Sequence, residues 1–275
     1  MPDLAFIVPC YNQVHWLPDA LASVEAQTCE DWECIIVNDG SADDTAVVAG
    51  EWVAKDKRFR LLNQANSGLA AARNAGIRET NSPFLLPLDA DDKIAPGYAA
   101  EALEIFKNDP ELSLVYGRAE FFGDMVGEWD LPAFSWPQFL LQNSIYCSAV
   151  FRTSDWERAG GYREELLDGL EDWDLWLAIL NKESRVHQIK KIMFYYRQRS
   201  GSMLQQLWQQ GAYKMGDAAA NIYCRHLSKY LETYGHPLNL IREKQQLLNE
   251  KAAWQRSWRY NFGAAITTWR KTRKS

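Results

Sequence analysis

The chain has 275 residues, 47% hydrophobic and 24% charged, with 12 Trp, 12 Tyr and 11 Phe; this excludes a disordered polypeptide and fits one large domain, or one domain with an appendage. The net charge of −6 is uneven, because residues from Lys251 onward carry seven Lys and Arg and no acid, leaving 23 Lys and Arg against 36 Asp and Glu before them. An acidic body excludes nucleic acid as the main partner, since phosphate contacts dominate that affinity.

Leu4 to Pro9 (LAFIVP) is a short apolar, β-leaning run, and Trp16 to Gln27 carries apolar residues at helical spacing, which predicts strand then helix. The pattern repeats with a strand at Glu33 to Val37, a helix over about Thr45 to Ala54, a strand at Phe59 to Leu62, a helix over Ser67 to Glu79 and a strand at Pro83 to Leu88. Such alternation predicts a parallel sheet covered on both faces, with ligands at the carboxyl ends of its strands. Leu112 to Tyr116 is another β-like run. From Phe121 to Tyr146 the chain is rich in Trp, Phe and Pro and shows no readable periodicity. Ala149 to Arg152, a Gly160–Gly161 turn, a helix from about Asp172 to Asn181 and a β-like run at Val186 to Tyr196 follow. From Met203 onward β-branched residues are few, and Leu240, Leu247, Leu248 and Trp254 sit among Gln, Glu, Lys and Arg, which predicts a helical appendage.

Acidic residues gather where strands end. Asn38-Asp39-Gly40-Ser41 follows ECIIV; Asp-Gly-Ser is also ordinary turn chemistry, with Asp43 or Asp44 as a helix cap. Leu88-Asp89-Ala90-Asp91-Asp92 follows FLLP. On an extended chain Asp89 and Asp91 point to one side and Asp92 to the other. Two carboxylates aimed at one spot repel unless a cation lies between them, and hard oxygen ligands suit Mg²⁺ or Mn²⁺. Magnesium takes one or two carboxylates and completes its shell with phosphates and water, so this pattern suits a metal diphosphate. The alternative is an acidic loop capping the helix after Pro96. In Leu170-Glu171-Asp172-Trp173-Asp174, the apolar spacing of Trp173, Trp176, Leu177 and Leu180 places Asp172 in a helical first turn, where acids also simply complement the helix dipole. A fourth cluster, Asp124 to Asp130, falls in the segment without periodicity and receives no role.

Taken together, IVPCYNQ (7–13), IIVNDGSADDT (35–45), NSGLAAARNAGI (66–77), LDADD (88–92), GGYREEL (160–166), LEDWDLWLAIL (170–180) and YYRQRSGSM (195–203) resemble, in order, the motifs of a family 2 glycosyltransferase of the GT-A fold. The resemblance covers about the first 200 residues. It implies an α/β fold, a mostly parallel central sheet flanked by helices, over residues 1–202, with a nucleotide-sugar half (about 1–118), an acceptor half (119–202) and a helical extension (203–275). It implies that Pro9 and Tyr11 line the nucleotide pocket, that Asp39 hydrogen-bonds the base, and that Arg73 lies near the nucleotide. Asp89 would sit near the ribose with Ala90 beside the donor, and Asp91, with Asp89, would hold Mn²⁺ or Mg²⁺. Asp172 would be the catalytic base, and Arg197 or Arg199 would meet the leaving diphosphate.

The implied reaction is inverting transfer of a sugar, from UDP by family habit, to a hydroxyl of a glycan or lipid-linked saccharide, as in polysaccharide biosynthesis. A dehydrogenase would need GxGxxG where PCYNQVHW stands. A nucleotidyltransferase would want a glycine-rich basic loop there, and a silent sugar-nucleotide-binding protein need not keep Asp39, Asp89, Asp91 and Asp172.

Cys10, Cys29, Cys34, Cys147 and Cys224 are odd in number, with no CxxC or Cys/His metal spacing, which suggests a reduced, cytoplasmic setting. MPDLAFIVPCYN lacks the regions of a signal peptide, and no run of about 18 apolar residues occurs. The cations of the tail, with Trp254, Trp258, Phe262 and Trp269, suit either an interfacial helix resting on anionic lipid at the cytoplasmic face of a membrane or a solvated basic helix packed on the acidic core.

Overall fold

The computed structural model describes residues 1–166, 169–199 and 212–272, with side chains for these except 212–218 and 257–272. The chain divides into two compact units, Met1–His226 and Leu227–Ser275. The first opens with β1 (Leu4–Cys10), α1 (Leu17–Glu25), β2 (Trp32–Asp39), α2 (Thr45–Lys55), β3 (Phe59–Gln64), α3 (Leu69–Arg78) and β4 (Phe84–Pro87), the order read from the sequence. Then follow β5 (Lys93–Ile94), α4 (Tyr98–Asn108), β6 (Leu112–Gly123), β7 (Gly127–Trp129), α5 (Trp136–Leu141), β8 (Val150–Arg152), α6 (Thr153–Ala159), α7 (Glu171–Ile179), β9 (Arg185–Gln198) and α8 (Ala212–Arg225).

The described strands form one sheet in the order β3-β2-β1-β4-β8-β6-β9-β5, with β7 added against β6. Every residue of β1 is buried, which is why LAFIVPC reads as a continuous apolar run rather than an alternating one. β1 pairs in parallel with β2 (Cys10 opposite Asn38) and with β4 (Ile7 opposite Pro87), and β2 pairs in parallel with β3 (Asp39 opposite Gln64). This register brings the ends of four strands, and the polar residues just after them, to one edge.

Beyond β4 the expected parallel order changes. β4 with β8, β6 with β8, β6 with β7 and β5 with β9 are antiparallel, while β6 and β9 run parallel. Antiparallel neighbours need no helical crossover, so strand and helix stop alternating. The segment 121–146 lacked periodicity because it holds the end of β6, a three-residue strand and a six-residue helix, each too short to show a period. The short α6 and the two-residue β5 escaped notice for the same reason.

α3 lies against β1 and β2, and many of its buried residues are small: Ala70, Ala71, Ala72 and Gly76. A methyl group at Gly76 would come within 2.8 Å of both Ile7 Cγ2 and Val37 Cγ2. The LAAARNAGI pattern is thus a close-packing requirement of helix on sheet.

The first unit continues past the expected boundary at residue 202. Buried Asp174 in α7 meets His226 Nε2 at 2.9 Å and Arg225 at 3.4 Å, fastening the end of α8. The SGSM part of the last motif lies outside the described residues. The second unit is helical, with α9 (Leu227–Tyr234) and α10 (Pro237–Thr272), the latter carrying Pro at its start as helices favour. Leu238, Ile241, Leu247, Leu248 and Trp254 of α10 are each at least half exposed. Among the described residues no helix is long and apolar enough to cross a membrane.

Gly76→Ala should lower stability by roughly 1–3 kcal/mol through overpacking against Ile7 and Val37. Urea denaturation checks this: the midpoint falls while the slope stays constant.

Candidate active site

At the carboxyl ends of β1, β2 and β4 lies a cleft of about 650 Å³. Pro9, Tyr11, Asp39, Arg73, Asp89, Ala90, Asp91, Asp172, Arg197 and Arg199 all line it. Residues scattered from position 9 to position 199 therefore converge on one space.

Asp39 ends β2 and is buried. Its Oδ1 accepts hydrogen bonds from Gln64 Nε2 (2.7 Å) and the Ser67 amide (2.9 Å), and its Oδ2 accepts from the Gly68 amide (2.9 Å). The carboxylate thus shapes the turn that launches α3. Asp43, one of the two acids considered as caps, does serve the start of α2: it accepts from the Thr45 amide and hydroxyl and from the Val14 amide.

The residues after β4 do not continue as an extended strand. The Asp92 amide donates to the Asp89 carbonyl at 3.0 Å, so 89–92 is a turn. This corrects the reasoning from side-chain alternation, although Asp89 and Asp91 still face the cleft together while Asp92 points inward. Asp92 Oδ1 accepts the Arg197 amide at 2.8 Å, and its carboxyl is pushed well above the usual range by burial and by the charges of Asp91 and Asp89.

Asp91 accepts from Arg199 Nη2 (2.9 Å) and Nε (3.1 Å). Burial, then the neighbouring charge of Asp89, raise its pKa against the pull of Arg199. A carboxylate whose ionisation is opposed by a neighbouring carboxylate in a cleft fits a divalent cation. No group of three or more His, Cys, Asp or Glu is placed to hold a metal among the described residues. Two carboxylates with phosphate and water completing the shell suit Mg²⁺ or Mn²⁺.

Arg73 is fully buried. Its Nη2 donates to Asp89 Oδ1 at 2.6 Å and its Nη1 to Glu171 Oε1 at 2.5 Å, while its guanidinium lies 5.4 Å from the Tyr162 ring centroid. One cation therefore ties the end of β4 to the start of α7. In sequence Glu171 looks only like a helix-start acid, because nothing local signals a partner 98 positions away.

Asp172 owes its place to the turn before α7. Gly169 and Leu170 both have positive φ (84° and 66°), a conformation rare for leucine, and this turn leads directly into the acidic first turn of the helix. The Asp172 Oδ1 accepts the Trp173 amide (2.7 Å) and its Oδ2 accepts from Asn143 Nδ2 (3.3 Å). Its pKa is raised to about 7, chiefly by burial and then by the Glu171 charge, with Arg73 pulling the other way. Asn143 is a site residue the sequence did not reveal; its Oδ1 accepts the Ile145 amide (3.1 Å), which fixes its amide as the donor to Asp172.

The structure also separates Arg197 from Arg199. Arg197 is buried, with Nε on the Asp91 carbonyl (2.7 Å), Nη2 on Asp19 (2.6 Å) and its guanidinium between the rings of Trp16 and Phe122. Arg199 lines the cleft with its guanidinium on the Asp91 carboxylate and is more exposed than Arg197. Trp129, Tyr146 and Tyr196 also line the cleft; they belong to the expected acceptor half, although the sequence singles out none of the three.

Arg73→Met should destabilise the protein by about 3–5 kcal/mol, because it leaves the buried Glu171, and the part-buried Asp89, without their counter-charge. Chemical denaturation at pH 7 measures the loss.

Residues 5–163 match the model of glycosyl transferase family 2. The teichoic acid poly(glycerol phosphate) polymerase of Staphylococcus epidermidis is 32% identical over 206 residues, which are 72% of this chain and 28% of that protein. In three curated relatives the chain spans only 28 to 35% of their length. Among solved structures, S. aureus TarS 1–349 in complex with UDP-GlcNAc superposes with a TM-score of 0.65 at 16% identity, covering 84% of this chain and 73% of that one. The mannosyltransferase PcManGT from Pyrobaculum calidifontis, solved with GDP-Man and Mn²⁺, gives 0.58 at 17% identity, covering 90% and 80%. These likenesses show the fold, which is the GT-A type. The family match extends over more than half of the chain, and the chain belongs to glycosyl transferase family 2.

Proposed function

We propose that the chain is an inverting glycosyltransferase that moves a sugar from a nucleotide diphosphate, with UDP the first carrier to test, to a hydroxyl of a glycan or lipid-linked saccharide in polysaccharide assembly. The observation that carries this reading is Asp172, a carboxyl raised to about 7, in the same cleft as Asp89 and Asp91. A base poised near neutral pH is efficient at taking a proton from an alcohol. UDP-GlcNAc, GDP-Man and Mn²⁺ in the neighbouring structures support a nucleotide-sugar donor and a divalent cation, and the polymerase relative supports a place in polymer synthesis.

In this reading Asp172 accepts the proton of the acceptor hydroxyl as its oxygen attacks the anomeric carbon from the face opposite the diphosphate. One such displacement inverts that carbon. Pro9 and Tyr11 flank the base, and Asp39, with three hydrogen bonds already accepted, keeps about one lone-pair site for it. Asp89 and Ala90 lie along the ribose side, and Arg199 beside Asp91 meets the diphosphate. Asp91 and Asp89 would hold Mn²⁺ or Mg²⁺, which when bound supplies electrostatic stabilisation of the departing diphosphate. Arg73 and Arg197, spent on carboxylates and a carbonyl, act by positioning these groups.

Asp172→Asn should retain the rise in melting temperature caused by UDP with Mn²⁺ while turnover of UDP-GlcNAc falls by roughly 10²–10⁴. The active form is the carboxylate, so kcat/KM of the natural chain should climb about tenfold per pH unit below 7 and level off above it. A variant that keeps most of its kcat sinks the base assignment.

We further propose a cytoplasmic protein whose tail rests on anionic lipid. Exposed Leu238, Ile241, Leu247, Leu248 and Trp254, followed by a stretch with cations and no acid, support this. Deleting the residues after Glu250 should then abolish sedimentation with phosphatidylglycerol vesicles; unchanged sedimentation refutes the contact.

A further inference from the structure

We propose that the acceptor side of the cleft is a stacking subsite for a neutral pyranose ring, built around Trp129 with Tyr196. The inference rests on the transferase reading and adds the chemical class of the acceptor.

Trp129 stands at the end of the short β7, paired with Ala119 of β6. Its ring is stacked on Phe121, with centroids 5.2 Å apart and planes at 24°, and lies 5.1 Å from Tyr196 at 38°. Phe121 and Tyr196 are themselves 6.1 Å apart, so three rings brace one another. Trp129 is nevertheless half-buried and lines the cleft, as Tyr196 does. An indole backed by other rings while keeping surface in a ligand cleft offers a rigid apolar face, and few rotatable bonds are immobilised when a ring settles on it. The axial C–H faces of pyranoses are apolar surfaces of that kind.

Charge decides which acceptor suits this face. Among the described residues the cleft's cations are Arg73, Arg197 and Arg199. Arg73 is held by Asp89 and Glu171, Arg197 by Asp19, and Arg199 by Asp91. The acids lining the same space are Asp39, Asp89, Asp91, Glu164, Glu171 and Asp172. A donor diphosphate arriving with its cation is matched here, whereas a second anionic group, such as the phosphate of a polyol chain, meets six carboxylates against three arginines already paired with acids. An uncharged ring stacked on Trp129, with a hydroxyl reaching Asp172, incurs no such repulsion.

Saturation-transfer NMR on the full chain with UDP and Mn²⁺ tests this, using cellobiose, maltose and N,N′-diacetylchitobiose as pyranose probes and glycerol 3-phosphate as the anionic probe. At least one disaccharide should show transfer to its ring protons, and glycerol 3-phosphate none. Trp129→Ala should weaken that disaccharide roughly tenfold, and Trp129→Phe should restore part of the affinity, which a merely misfolded variant would not. Signal from glycerol 3-phosphate alone, no signal from any disaccharide, or an unchanged signal in Trp129→Ala overturns the subsite. The melting-temperature rise caused by UDP with Mn²⁺ is recorded on the same samples: its absence in the natural chain defeats the transferase reading itself, whereas a preserved rise with no disaccharide signal defeats only the subsite.

Discussion

A guanidinium with no exposure to water sits between two carboxylates that reach it from positions 89 and 171, and this buried contact organises the cleft. A buried charge without a partner is far more costly than a buried pair, so Arg73, Asp89 and Glu171 constrain one another once the chain is folded. The consequence extends to Asp172. Arg73 pairs with Glu171, the Glu171 charge raises Asp172, and Arg73 limits how far that rise goes. A carboxyl near 7 is the resultant of burial and two opposed charges, and each is fixed by backbone that other contacts determine.

Those contacts lead back to α3. Gly76 lets the helix approach β1 and β2 closely, and that approach carries Arg73 beneath the cleft. The next residue, Asn74, completes the arrangement. Its Nδ2 donates to the Tyr162 carbonyl (2.8 Å) and to Glu164 (2.9 Å), and its Oδ1 accepts from the Tyr162 amide (2.9 Å) and Trp156 Nε1 (3.2 Å). Gly161, at φ 83°, passes so near that a Cβ would lie 2.9 Å from Asn74 Oδ1. NSGLAAARNAGI and GGYREEL, some 85 positions apart, are two halves of one interface. Their shared purpose is to deliver the chain to Gly169 and Leu170, from which α7 starts.

Much of the first half was legible because its elements are long enough to show a period. β1 to β4 and the helices between them bury continuous strands and one-sided helices, so the apolar spacing records which residues face the sheet. The acidic residues of the cleft were legible for a related reason: parallel strands in register end at one edge, and polar residues just after apolar runs must gather there. In the second half the runs at Leu112 to Tyr116, Ala149 to Arg152, Asp172 to Asn181 and Val186 to Tyr196 were legible as β6, β8, α7 and β9, but the short elements were not. β5, β7, α5 and α6 span between two and seven residues, and Trp129 of β7, which lines the cleft, looks in sequence like any other core aromatic.

The amino-acid order by itself determined the alternation of strand and helix through Leu88, the convergence of Asp39, Asp89 and Asp91 on one edge, and the family, since these depend on local periodicity and on motifs a few residues long. Only the tertiary structure decided which charge pairs with which. Arg197 is committed to Asp19 and Arg199 to Asp91 although they are neighbours in sequence, Glu171 holds Arg73 while Asp172 is left with Asn143, and Asp92 turns inward behind Asp91. Periodicity reports the side a residue faces. The partner it meets across 29 to 178 positions is set by how the sheet twists and where a turn releases the chain, and no short stretch of sequence encodes that distance.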